Sequence, residues 1–275
     1  MIHEIHDMWP ITPVEIGGMS PKSPFIWILQ RAEDSFCRNS DKVIYLLSHS
    51  DNYLMKHGMS QEKFVHIPNG IVEEEWDESE WMPLSDSEQE QLDVIKKQHK
   101  KVICFFGSHT VSYALEYIID AVKEFDSAEV GLLLVGNGSY KEELIKRADK
   151  TCNIHFMDSI PKRSIPDLLR QVDIIYIGAL DNQMFRFGIC MNKLYDAMMA
   201  GKPILYAVNA PNNYIEDFKC GISVKTQDKE ALVDGIRKFM TMSQGMLDEM
   251  GNNGRNAVKN HFTIRILAKR FEEEF

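Results

Sequence analysis

Between residues 101 and 224, six short apolar runs alternate with amphipathic stretches. The runs are VICFFG (102–107), VGLLLVG (130–136), NIHFM (153–157), DIIYIG (173–178), PILYAV (203–208) and GISV (221–224). Helical patterns fill the gaps at 111–125, 139–149, 164–171, 192–200, 212–218 and 228–242. Runs without polar alternation read as strands buried on both faces, and the helices supply the crossovers that parallel strands require. Right-handed crossovers then predict one complete doubly wound, Rossmann-like α/β domain over residues 101–260. In that topology a ligand sits at the carboxyl ends of the strands, where Gly107, Gly136, Asn137, Gly138 and Gly178 fall.

Residues 1–72 carry the same alternation in a shorter form. IHEIHD, KVIYLL (42–47) and KFVHIPNG read as strands, with helices over 24–40 and SHSDNYLMKHG. Two or three strands make a marginal sheet, so this segment is expected to be the last part of a second Rossmann-like domain. Residues 73–100 open with EEEWDESEW and are expected to form an acidic interdomain linker or surface helix. Residues 261–275 are expected to form a C-terminal helix.

The chain has 275 residues, 44% hydrophobic and 26% charged, the values of a globular protein. Its net charge of −10 argues against nucleic acid as a partner, which needs a basic surface. No apolar run approaches the roughly 20 residues of a spanning helix. Residues 1–10 carry Glu4 and Asp7 and lack the apolar core of a signal peptide. The five cysteines form no CxxC pair and read as free thiols of a reducing compartment. Together these features predict a cytoplasmic protein.

The segment FGICMNKLYDAMMAGKP (187–203) carries the clearest chemistry. Asn192 is a potential N-cap, residues 193–200 are mostly good helix formers, Gly201 suits the C-terminal cap and Pro203 forbids continuation. Asn192 and Asp196 are four residues apart and share a face. Free N–H groups and Lys193 suit a pyrophosphate, and the Asp196 carboxylate suits ribose hydroxyls.

HDMWP (6–10), PVEIGG (13–18), GMSQEKFVHIPNG (58–70), LLLVGNG (132–138) and the 187–205 block together resemble family-4 glycosyltransferases of the GT-B fold. The nearest subgroup is the L-fucosamine type of O-antigen and capsule assembly. The resemblance implies two Rossmann-like domains facing a cleft, with residues 101–260 binding a nucleotide-sugar and residues 1–72 holding part of the acceptor domain, whose first portion is missing. It implies a retaining, metal-independent sugar transfer, with a UDP-sugar as donor substrate and no cofactor. The acceptor would be lipid-linked, in cell-surface polysaccharide biosynthesis, at the inner face of the cytoplasmic membrane with possible peripheral contact.

By the same resemblance, Asp196 matches the family's ribose-binding glutamate, whereas the sugar-contacting glutamate falls on Gly188. His6 matches a histidine that reaches the donor sugar and diphosphate. Gly107, His109, Gly136, Asn137 and Gly138 would flank the donor. Arg186 is either a diphosphate clamp or a structural arginine. The rival reading is a catalytically incomplete nucleotide-sugar-binding module, a remnant or one half of a split enzyme that takes a separately encoded N-terminal half or dimerises. A 2-epimerase is weaker, because no second carboxylate supplies its acid/base chemistry.

Overall fold

The computed structural model describes residues 1–149 and 151–274 as two parallel sheets with helices around them. Residue 150, within the predicted donor domain, and residue 275, the end of the predicted last helix, lie outside the described residues. The first sheet has the order β1-β2-β3, from β1 (Ile2–Ile5), β2 (Lys42–Tyr45) and β3 (Phe64–His66). The second contains β4 (Lys101–Phe106), β5 (Val130–Val135), β6 (Ile154–Met157), β7 (Ile174–Gly178), β8 (Ile204–Ala207) and β9 (Gly221–Ser223). Its order is β6-β5-β4-β7-β8-β9, so successive strands run outward from β4 in one direction and then resume at β7 on its other side. That reversal between β4 and β7 is the topological switch point at which open α/β sheets bind ligands.

Continuous apolar strands make sense of the layers. Every residue of β5, β7 and β8 is buried, because helices cover both faces. One face packs on helices Leu115–Val122, Lys141–Ala148 and Lys229–Thr241 through Leu115, Ile118, Leu144, Leu232 and Ile236. The other packs on Asp86–Gln98, Ile165–Gln171, Asn192–Met199 and Gln244–His261 through Leu92, Leu168, Leu194 and Val258. Registers are direct, with Ile103 opposite Leu132 on one side and Ile174 on the other.

One expectation changes, one resolves between its alternatives and one helix had not been predicted. Of the linker and the surface helix expected for residues 73–100, the second half takes the helix. The stretch opens with two short 3-10 turns, Glu73–Trp76 and Glu78–Glu80, and continues as the Asp86–Gln98 helix. That helix starts at a Ser85–Glu88 capping box and buries Leu92 and Ile95 in the main core. The single helix predicted over 111–125 is split, because Ala114 takes a left-handed conformation (φ 50°) between a 3-10 turn and the helix proper. Residues 244–261 form a long helix whose glycines hid it: Gly251 approaches the Gly201 carbonyl so closely that a Cβ would stand 2.0 Å from it.

The last helix, Ile264–Glu272, returns to the first sheet. Leu267 packs with Ile44 and Ile67, the Ile71 and Ile264 amides are held by the Phe262 and Ile71 carbonyls, and Arg270 donates to the His66 carbonyl.

Candidate functional site

The Asn192–Met199 helix follows an extended Met191 and ends at Gly201, whose φ of 71° gives the left-handed stop. Arg255 donates to the Met199 and Ala200 carbonyls and so satisfies the helix's last acceptors. Asn192 is not the cap: it is the first helical residue, and Met191 holds the cap position without a side-chain bond. The first-turn N–H groups therefore lack a side-chain cap, which leaves them open to an anion.

Facing this turn are two glycine-containing loops. Gly107, after β4, and Gly136, after β5, have φ of 129° and 144°, and a Cβ on Gly136 would stand 1.9 Å from the Gly107 carbonyl oxygen. Only glycine lets the two strand ends approach this closely. Gly138 is equally tight against the His109 carbonyl, where a Cβ would stand at 2.3 Å. Asn137 donates to Ser159 and accepts from Lys141, which also binds the Gly136 carbonyl and Asp158.

Beneath Gly107 lies Lys193. Its Nζ is 3.4 Å from the Tyr113 ring centre and 4.3 Å from that of Phe105, and it makes no hydrogen bond with a described residue. Burial pushes the ammonium down to about 7. A buried cation without an acceptor at a helix N-terminus suits a group that brings its own negative charge.

One turn deeper, burial pushes the half-buried Asp196 carboxyl up, while the Lys162 charge and a hydrogen bond from the Trp76 indole pull it down. Lys162 is itself paired with Glu75 at 2.6 Å. Neither Lys162 nor Trp76 was expected at the site. Lys162 had a readable signal, a cation just past the β6 strand end, but the acidic run around Trp76 reads as solvated.

Three cavities form a track across the switch point. One is lined by Trp76, Lys162, Arg163, Ile165 and Asp196. A second, of about 380 Å³, shares Ile165 and is walled by Gly107, Ser108, Gly136, Asn137 and Ser159. A third, of about 370 Å³, shares Ser108 and continues to Tyr113, Phe185, Ile189, Cys190 and Met191. Beside the track is a cleft of about 550 Å³ between the sheets, which brings His6 and Asn69 from the first to Asn192 and Asp196 from the second. Asn69 ties the two sides: its amide donates to Cys190 Sγ at 3.1 Å and its side chain to the Cys190 carbonyl at 3.4 Å.

The model of the family described as glycosyl transferases group 1 matches residues 86–257, more than half of the chain. The chain belongs to that family. No curated protein matches its sequence closely. Among solved structures, Anabaena HepE in complex with UDP is 18% identical with a TM-score of 0.73, covering 99% of this chain and 71% of that one. WaaG, a glycosyltransferase involved in lipopolysaccharide biosynthesis, is 20% identical with a TM-score of 0.70, covering 98% and 73%. Sucrose-phosphate synthase from Thermosynechococcus elongatus is 17% identical with a TM-score of 0.71, covering 99% and 66%. These likenesses show the fold: the α/β GT-B type, with a doubly wound second sheet beside a three-stranded parallel first one.

Two sequence-derived positions of this group 1 glycosyl transferase lie off the track. The His109 ring is wholly buried between Phe105 and Phe156, and neither nitrogen makes a hydrogen bond with a described residue. Burial, with the charges of Lys141 and Lys193, pushes it down to about 4, so it is a neutral core residue, and the Ser108 and Thr110 hydroxyls reach the cavities in its stead. Arg186 faces a separate cavity, where it makes a bidentate pair with Glu15 at 2.7 Å for each bond and stacks on Phe187. That satisfies its structural reading; its fork is not aimed at the Lys193 turn. At Gly188 (φ 101°) a Cβ would meet Asn212 Oδ1 at 3.0 Å and Ser48 Oγ at 3.2 Å, which explains why no acidic side chain stands there. Among the described residues no helix is long and apolar enough to cross a membrane.

Proposed function

We propose that this glycosyl transferase moves a hexosyl group from a UDP-sugar to a lipid-linked acceptor in surface polysaccharide assembly, as an L-fucosamine-type enzyme working in the cytoplasm at the inner membrane face. The observation that carries the reading is the helix N-terminus without a side-chain cap, which opens on the cleft through Asn192, with the Lys193 ammonium, unpartnered among the described residues, beneath Gly107 of the middle cavity and Asp196 lining the first. A diphosphate placed at the turn takes the free N–H groups, Ser108 and the Lys193 charge. The Asp196 carboxylate then accepts from the ribose hydroxyls, and the glycine turn of Gly107 and Gly136 gives the nucleoside close backbone contact. Departure of the diphosphate builds negative charge at the N-terminus and Lys193, so these groups stabilise the leaving group electrostatically. No bound metal is required for that step. His6, across the cleft, contacts the donor sugar from the acceptor side, and retention of configuration follows the family resemblance.

UDP is favoured as the carrier because HepE was solved with UDP and with UDP-glucose, and S. aureus TarM with UDP. Calorimetric titration with UDP, GDP and ADP, alongside Asp196→Ala, tests the reading. Selective UDP binding that the variant loses is expected; a folded chain that binds none of the three sinks it.

A second reading rests on the first sheet. Among the described residues the outer edge of β1 has no partner strand, and Trp9, Phe25, Trp27 and Ile28 of the same N-terminal segment are exposed. These features favour a binding module that gains activity only when a further segment, a separately encoded half or a second copy, completes the sheet. UDP binding without hydrolysis or transfer, and activity restored on adding that partner, is the outcome that would select it.

A further inference from the structure

We infer that Asn212 is a positioning residue for the diphosphate of the donor: it holds the backbone at Ile189 and so aims the first turn of the Asn192–Met199 helix at the ligand. This rests on the donor reading above.

That helix does not anchor its own start. From the end of β7 the chain passes through the 3-10 turn Gln183–Phe187 and then residues 188–191 before the helix begins. Met191 holds the cap position without a side-chain bond. N–H groups that are to meet a diphosphate need a fixed direction, because hydrogen bonds weaken steeply with misalignment.

Asn212 supplies the anchor from the exit of another strand. It lies in the loop between β8 and the Tyr214–Asp217 helix. Its Oδ1 accepts from the Ile189 amide at 2.8 Å and its Nδ2 donates to the Ile189 carbonyl at 2.7 Å, both buried. One planar carboxamide therefore grips both main-chain groups of Ile189, as a neighbouring strand would. Gly188 leaves room for it, since a Cβ there would stand 3.0 Å from the same Oδ1. After β3, Asn69 holds the next residue, Cys190, by its sulfur and its carbonyl. The Met191 carbonyl then accepts from the Leu194 amide at 3.0 Å and the helix is under way.

Without Asn212, these two buried groups of Ile189 lose a partner, and the loop gains by turning them to water. The rest of the helix has anchors of its own. Leu194, Tyr195, Ala197 and Met198 are buried in the main core, and Arg255 holds the Met199 and Ala200 carbonyls. Loss of Asn212 thus displaces the first turn and leaves Asp196, which takes the ribose, in place.

The test uses that asymmetry. Calorimetry compares UDP with uridine, which has the ribose and lacks the diphosphate, in the parent, Asn212→Ala and Asn212→Ser. The serine hydroxyl leaves room for a bridging water and serves where the alanine variant does not fold. UDP affinity is expected to fall about tenfold or more, the order that one lost hydrogen bond to a charged group costs, while uridine affinity stays within about twofold. A folded variant that keeps the parent's ratio of UDP to uridine affinity overturns this inference and leaves the donor reading standing. An equal loss of both ligands does the same, because it marks a merely structural residue. A parent that binds UDP no more tightly than uridine, or binds neither, overturns the donor reading as well.

Discussion

The Lys193 ammonium sits 3.4 Å from the centre of the Tyr113 ring with no hydrogen bond to a described residue. Ring quadrupoles offset only part of the cost of burying a charge. Burial brings the group to about 7 from an ordinary 10.5. Between those values the unfolded chain holds a proton that the folded chain lacks, so stability rises with pH across the window; below about 7 the folded state bears the full penalty. Lys193→Met is therefore expected to stabilise the fold by about 1–3 kcal/mol at pH 6. The gain should shrink as pH rises through the window, read by urea unfolding at several pH values. The same variant should bind UDP at least about tenfold more weakly. A variant less stable than the parent at pH 6 would show that the charge is already compensated.

The Gly136 turn gives a purely steric prediction. Its φ of 144° and the Gly107 carbonyl 1.9 Å from a built Cβ leave no room for any side chain. All the atoms it would meet belong to the Gly107 backbone and cannot swing away. Gly136→Ala should cost about 3 kcal/mol or more, or prevent folding. Chemical denaturation measures it, and a loss under 1 kcal/mol would mean that the two strand ends separate easily.

How far these features were legible depends on how local their signal is. The six strands of the second sheet stood out because each is mostly apolar and short, several of them ending at a glycine or starting after a proline, and the helix before Pro203 carried its own stop. Asp196 and Asn192 fell on one face because helical spacing is a local property. His109 misled because a polar loop residue after a strand normally faces solvent, whereas tertiary packing turned this ring into the core. Trp76 and Lys162 are far apart in sequence and meet only through folding of the 73–76 turn onto β6's exit. Asn212 could not be read at all, since its two bonds go to the backbone of Ile189, which no residue pattern announces.

Asp196 supplies a carboxylate test with the opposite sign to Lys193. Burial raises its carboxyl above the ordinary aspartate value, more than Lys162 and Trp76 lower it. In that window the folded chain holds a proton the unfolded chain has released, so this residue's contribution falls as pH rises through it. Asp196→Asn keeps the shape and removes the titration. Its melting temperature should match the parent's at low pH and exceed it near neutrality. UDP affinity should fall about tenfold, since the amide replaces one acceptor oxygen by a donor. Differential scanning fluorimetry over pH, with and without UDP, reads both effects; a parent that gains stability from acid to neutral pH relative to the variant would show that Lys162 and Trp76 overcome desolvation.

Arg186 distinguishes a structural fork from a diphosphate clamp. Its bidentate bonds to Glu15 join the Ile11–Glu15 helix to the turn before Gly188, and both partners retain contact with solvent. Ion pairs of that exposure are worth about 0.2–1 kcal/mol. Arg186→Ala and Glu15→Ala should each lose no more than that, and the double variant should lose about what either single one does, because the pair is broken once. UDP affinity should stay within twofold in both, since the fork faces a cavity that shares no lining residue with the Gly107 cavity and meets the adjoining one only at Phe185. A large fall in UDP affinity in Arg186→Ala but not in Glu15→Ala would mean that the guanidinium leaves Glu15 for the diphosphate on binding. The single variants, compared by calorimetry, therefore separate a latch between the two sheets from a group recruited by the ligand.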